Sequence, residues 1–108
     1  MSWKIRYSDG ARHDLRNLYE YIAYDLLVPE TAAEQTQRIM KGVRSLGDMP
    51  MRYRLYGEEP WHSRGIRFFP VDNYLVFYLP DESENTVHIV RIMYGGRDIK
   101  KQSIWQSL

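Results

Sequence analysis

The residues of this sequence best suited to chemistry are histidines and a run of arginines that points toward phosphate. His62 and His88 carry imidazoles, which exchange protons near neutrality and so suit acid–base transfer. Beyond position 48 the basic residues are Arg52, Arg54, Arg64, Arg67, Arg91, Arg97, Lys100 and Lys101. Arginine dominates that set, and its planar fork grips phosphate or carboxylate bidentately where lysine offers only a point charge. Arg64, Arg67, Arg91 and Arg97, gathered at one sheet edge, could stabilise a pentavalent phosphate during RNA cleavage. The same cluster could equally bind an acidic partner helix. Each residue also has a plainer reading, as solvated surface charge or as half of an ion pair. Arg91 is the sharpest case, because a charge inside a short apolar strand must face water, a partner or a carboxylate. Asp14 or Glu20 are the candidates for an internal salt bridge.

Other chemistries lack their residues. The chain has no cysteine, which removes disulfides, thiolate zinc sites and a thiol nucleophile. No glycine-rich phosphate loop follows a strand, and Gly95-Gly96 before Arg97 merely permits a turn. His13, His62 and His88 show no metal-ligand spacing, and Ser63 and Ser83 sit in no nucleophile elbow. No cofactor and no metal are expected. The net charge of +1 argues against a general polyanion binder. With 108 residues and 44% hydrophobic composition, the chain suits one domain spanning 1–108 around one core. The start, Met1-Ser2-Trp3-Lys4, carries no signal-peptide core, and no apolar run approaches the roughly 20 residues that span a bilayer. A cytoplasmic protein without membrane contact is the expectation.

The elements that must position these groups follow from periodicity. Lys4 to Tyr7 alternates, with Trp3, Ile5 and Tyr7 on one face, and reads as a strand. Ser8 and Asp9 offer N-cap oxygens to a helix reaching about Tyr24, whose Ala11, Leu15, Leu18 and Ile22 form one stripe. Pro29 and Glu30 start a second helix, lined by Ala32, Thr36, Ile39, Val43 and Leu46 and stopped at Gly47. The connection from Asp25 to Val28 is short enough to fold the two helices into a hairpin. Residues 48–64 are irregular. Strands then follow at Gly65 to Phe69, ending at Pro70, at Asn73 to Leu79, apolar on both faces, and at Thr86 to Tyr94. In the last, Val87, Ile89, Arg91 and Met93 oppose His88, Val90 and Ile92. Asp98 could cap a short tail helix. The order β-α-α-β-β-β predicts a two-layer α+β fold. An N-terminal helical hairpin packs on a curved, mainly antiparallel four-stranded sheet, with a short C-terminal tail. The other sheet face is expected to be partly solvated, which points to a macromolecular partner.

The stretch GIRFFPVDNYLVFYLPDESENTVHIVRIMYGGRDI carries a resemblance. Asn73 to Tyr78, the acidic hairpin, and Val90 to Asp98 resemble the NYxVFY strand and the HGRRD-type ending of the RelE/ParE superfamily of type II toxins. The resemblance extends over nearly the whole chain. It implies a toxin neutralised by a cognate antitoxin, with DNA gyrase as the target in one branch. In the other branch the toxin is a metal-independent endoribonuclease acting on messenger RNA at the ribosome. Ribonuclease members commonly place an arginine where this chain has Leu75, and a tyrosine or histidine near the C-terminus. Here no tyrosine follows Tyr94, while Arg97 does match a family arginine. The diglycine-Arg-Asp ending and the long helical hairpin resemble the gyrase-directed branch more closely. If the chain were a nuclease, Arg97, Arg64, Arg67, Arg91, His62 and His88 would be its catalytic candidates. A third possibility, from composition alone, is a non-catalytic interaction module.

Overall fold

The computed structural model describes residues 2–95. Its elements run β1 (Lys4–Tyr7), α1 (Asp9–Glu20), α2 (Pro29–Ser45), β2 (Arg67–Val71), β3 (Tyr74–Asp81) and β4 (Thr86–Tyr94). The strands form one sheet in the order β1-β4-β3-β2. The pairs β2–β3 and β3–β4 are antiparallel, and β1 joins β4 in parallel. The expected two-layer α+β arrangement is therefore present. Among the described residues no helix is long and apolar enough to cross a membrane.

Local chemistry explains where the helices begin and how they end. Ser8 is the N-cap of α1, its hydroxyl accepting from the Ala11 N–H at 3.0 Å and donating to the Val90 carbonyl at 2.7 Å. One side chain thus both starts the helix and ties it to β4. The α-helix stops at Glu20, short of the expected Tyr24, and the chain continues as one π-helical turn over Tyr21–Asp25. That turn closes with the Leu26 N–H on the Tyr21 carbonyl at 3.0 Å. Leu27 then takes a left-handed φ of 61°, a conformation that strains any residue with a Cβ. Pro29 opens α2, where a missing N–H costs nothing.

The helices bury the stripe read from the sequence. Ala11, Leu18, Ile22, Ala32, Ile39, Val43 and Leu46 join Phe69, Val76, Tyr78, Val87, Ile89 and Ile92 in one core. Close approach is needed where α2 crosses β2, since a Cβ on Gly42 would lie 3.1 Å from Phe69 Cε2 and 3.2 Å from Val71 Cγ2. Asp72, at the β2–β3 turn, accepts from Gln35 Nε2 at 2.9 Å and Arg38 Nε at 2.7 Å, which fixes that turn to α2. The Arg38 hydrogen bond, followed by that of Gln35, holds the Asp72 carboxyl below its usual range.

Besides the end of α1, three sequence expectations are corrected. Pro70 does not end β2, which runs on to Val71 with Pro70 opposite Leu75. Because β2 is an edge strand, its missing N–H leaves no ladder bond unmade. The alternation in β4 also breaks. Phe77 pairs with Arg91 but Tyr78 with Ile89, so Val90 is an extra residue, a β-bulge. Val87 and Ile89 lie in the helix-side core with Ile92, whereas Val90 and Met93 lie in a second cluster. The third correction concerns the sheet's other face, which is covered. Trp61, Ile66, Phe77, Val90 and Met93 form that cluster, packed by Tyr56, Phe68, Leu75 and Leu79. The irregular segment 54–66 folds over this face. It is anchored along the β2 edge by Tyr56 N–H to Ile66 O at 2.8 Å and Phe68 N–H to Arg54 O at 3.2 Å.

Candidate functional site

The bulge and the shortness of β1 together create the most distinctive polar site. After Tyr7 the chain leaves the sheet, its last backbone tie being the Ser8 N–H to Ile89 O at 2.9 Å. Among the described residues the edge of β4 has no strand neighbour beyond Ile89, and α1 takes that place. Asp14 accepts from the Ile92 N–H at 2.9 Å and, with both oxygens, from Arg91 Nε at 2.7 Å and Nη2 at 2.9 Å. The two side chains are only 19% and 13% exposed, so the pair is largely withdrawn from water. The Asp14 hydrogen bonds raise the Arg91 pKa further and keep the guanidinium charged. Of the two partners anticipated for Arg91, Asp14 is the one engaged.

The remaining arginines are distributed differently from the expected cluster. Arg67 lies opposite Tyr78 on β2, and its Nη1 donates to the carbonyls of Tyr53 at 2.6 Å and Met51 at 3.2 Å. Arg91 lies on β4 with β3 between them. Their guanidiniums are turned to separate anchors and form no common phosphate cradle. Arg52 donates to Ser45 Oγ at 2.5 Å and stacks over Tyr53. Arg54 stacks over Phe68, 5.1 Å from its centroid. Arg64 is exposed in the turn after Trp61. Arg97, Lys100, Lys101 and the suggested Asp98 cap lie outside the described residues.

The two histidines also part company. His62 is exposed in the loop over the second cluster. His88 is half-buried, its Nε2 3.8 Å from both Asp81 Oδ2 and Glu84 Oε1. Reading spacing along the chain missed this grouping. The signal available was the hairpin, which returns β4 alongside Asp81.

Near the Arg91–Asp14 pair lies a groove of about 840 Å³ between the helical hairpin and the free end of β4. Its apolar lining includes Leu18, Tyr21, Ile22, Leu26, Val28 and Tyr94. Tyr21, Leu26, Val28 and Tyr94 are between 42% and 53% exposed, and Tyr24, on the π turn, and Leu27, just after it, 66% and 77%. So much exposed apolar surface in one place marks an interaction site. The sequence carried the signal as Leu26-Leu27-Val28 in a connection that ordinarily would be polar.

A helical hairpin on a β1-β4-β3-β2 sheet is the architecture of the RelE/ParE toxin fold. The chromosomal ParDE system of P. aeruginosa includes a chain that superimposes with a TM-score of 0.70 at 20% identity, covering 86% of this chain and 96% of that one. A chain of the RelBE2 toxin–antitoxin complex of Mycobacterium tuberculosis gives 0.63 at 21% identity, with 87% and 99% covered. A free-state mutant of the E. coli toxin RelE gives 0.66 at 10% identity, with 99% and 94% covered. These likenesses show the shared fold. No curated protein matches the sequence. The family model described as the ParE toxin of the type II toxin–antitoxin system parDE matches residues 5–99, and the chain belongs to that family.

Proposed function

We propose that this protein is the toxin of a type II toxin–antitoxin pair and that it acts by binding, with DNA gyrase as its target, rather than by cutting messenger RNA. The observation that carries this reading is the commitment of Arg67 and Arg91 to structure. Arg91 is held bidentately by Asp14, Arg67 is spent on two backbone carbonyls, and Leu75 packs against the Trp61 cluster. Ribonuclease chemistry needs cations aimed at the scissile phosphate and a proton donor and acceptor within roughly 3 Å of the reacting atoms. His62 is exposed in the loop over the second cluster and His88 faces the carboxylates of Asp81 and Glu84, which favours positioning over catalysis.

Neutralisation by a cognate antitoxin fits the same surface. A flexible antitoxin segment would lay apolar anchors into the groove between the hairpin and β4, with acidic groups toward the basic residues 52–67. Ordering such a segment costs conformational entropy, which buried apolar area offsets. The target assignment is tested with purified full-length toxin, gyrase and supercoiled plasmid, beside a ribosome-dependent messenger RNA cleavage assay, for wild type and Arg97→Ala. Stabilised double-strand breaks with intact message are expected. Codon-positioned RNA cuts without gyrase inhibition would establish the ribonuclease reading instead.

A further inference from the structure

At the opposite end of β4 from the groove, three metal-ligating side chains converge. Asp81 ends β3, Glu84 sits in the turn, and His88 lies in β4. Their donor atoms all lie within 4.8 Å of one another. We propose that Asp81, Glu84 and His88 form a binding site for a divalent transition-metal ion of the zinc type, closing the turn end of the β3–β4 hairpin.

The distances fit this role better than a direct ion pair. His88 Nε2 stands 3.8 Å from each carboxylate oxygen, beyond hydrogen-bond range. Ligands about 2.1 Å from a tetrahedral zinc lie roughly 3.4 Å from each other. Closing from 3.8 Å to that separation takes only small side-chain rotations, because the three residues come from one short hairpin. Asp81 is also oriented for the task. Its Oδ1 accepts from the Ser83 N–H at 3.0 Å and from Ser83 Oγ at 2.6 Å, which leaves Oδ2 turned toward His88. Second-sphere contacts of this kind fix the direction of a ligating carboxylate.

Donor type selects the ion. One imidazole with two carboxylates suits zinc and its first-row neighbours, whereas magnesium and calcium prefer oxygen alone. Three protein ligands leave a further position for water, so the site is of the open type. The opposing charge is Arg6, which lies directly across from His88 on β1. Its exposed guanidinium weakens cation binding without blocking it. A bound ion would link β3, the turn and β4, and would therefore slow opening of the hairpin.

The test uses the full chain with Zn²⁺ alone as the probe, followed by calorimetry and by amide resonances. One equivalent of Zn²⁺ is expected to bind and to shift resonances over 81–88 and at Arg6. His88→Gln and Asp81→Asn should each weaken binding at least tenfold while the circular dichroism spectrum stays unchanged, and Ser83→Ala should weaken it less. Arg6→Gln should tighten it. Co²⁺ should give a visible d–d absorption that His88→Gln removes, and Mg²⁺ in large excess should not compete. The other two histidines are the internal control, so His13→Gln/His62→Gln should bind as wild type does. Absence of Zn²⁺ binding, binding that survives His88→Gln, or loss of binding in the His13/His62 variant would each overturn the proposal.

Discussion

The sheet buries two faces in contrasting ways. On one, two amphipathic helices lay a regular stripe of small and branched residues across Val76, Tyr78, Val87 and Ile89. On the other, an irregular segment with little regular structure drops Trp61 onto Phe77, Val90 and Met93, leaving its indole 2% exposed. Periodic and aperiodic segments thus reach the same degree of burial. Both faces also use up arginines. On the second face Arg54 stacks on Phe68, and on the helix side Arg67, paired with Tyr78, clamps the carbonyls of residues 51 and 53. The proposed docking surface therefore lies not on the sheet face but at its edge, where β1 ends early and the helical hairpin leaves apolar residues in solvent.

If the aperiodic face is a full second core, Trp61→Ala should lose about 3–5 kcal/mol, no less than the about 2–5 kcal/mol expected for Ile39→Ala on the helix face. Urea denaturation of both variants decides it, and a loss under about 1 kcal/mol for Trp61→Ala would reduce segment 54–66 to a loose flap.

At the edge, Asp14→Ala leaves Arg91 and the Ile92 N–H without their carboxylate and should cost about 3 kcal/mol. The double variant Asp14→Leu/Arg91→Met, which removes both charges, should lose less than either single charge deletion. A strictly additive result in that cycle would mean the pair contributes no coupling.

Tyr78 distinguishes the faces by pH. Its hydroxyl, buried under the helix side, donates to the Pro50 carbonyl at 2.6 Å. Burial pushes its pKa up to about 12, well above the ordinary phenol value. Folding thus favours the neutral phenol, so this stability is complete below about pH 10 and is lost as pH rises through about 12. Tyr78→Phe should cost about 1 kcal/mol at neutral pH and weaken the alkaline transition seen by circular dichroism. An unchanged transition would assign it to other tyrosines, Tyr7 first, whose pKa is also raised by burial.

The smallest effect on stability belongs to the hairpin tip. Leu27→Asn at an exposed left-handed position should change stability by no more than about 0.5 kcal/mol. It should nevertheless weaken antitoxin binding in a titration with the purified partner. Unaltered affinity for both Leu27→Asn and Tyr24→Ser would move the docking surface elsewhere.

What the sequence made legible was whatever repeats. The stripes Ala11–Leu15–Leu18–Ile22 and Ala32–Thr36–Ile39–Val43–Leu46, the Ser8 cap and the apolar β3 were readable because periods of 3.6 and 2 are geometric. The bulge at Val90 was not, since one extra residue leaves no compositional trace and reverses every later side chain. Nor was the burial of Trp61, which depends on where an aperiodic segment happens to cross the sheet. The Asp14 partnership of Arg91 was legible only as a need for a carboxylate, with Glu20 an equal candidate. His88 looked solitary because its ligating neighbours meet it across a turn. The groove was half visible, as apolar residues placed in a connection.

The central claim, action by binding rather than by phosphodiester chemistry, is tested most directly in one induced culture. Chromosomal double-strand breaks and messenger RNA 5′ ends are mapped from the same samples within minutes of toxin expression. The account predicts breaks that accumulate while message 5′ ends keep their uninduced pattern, and that disappear when the antitoxin is co-expressed. Codon-phased 5′ ends appearing before any chromosomal break would contradict it.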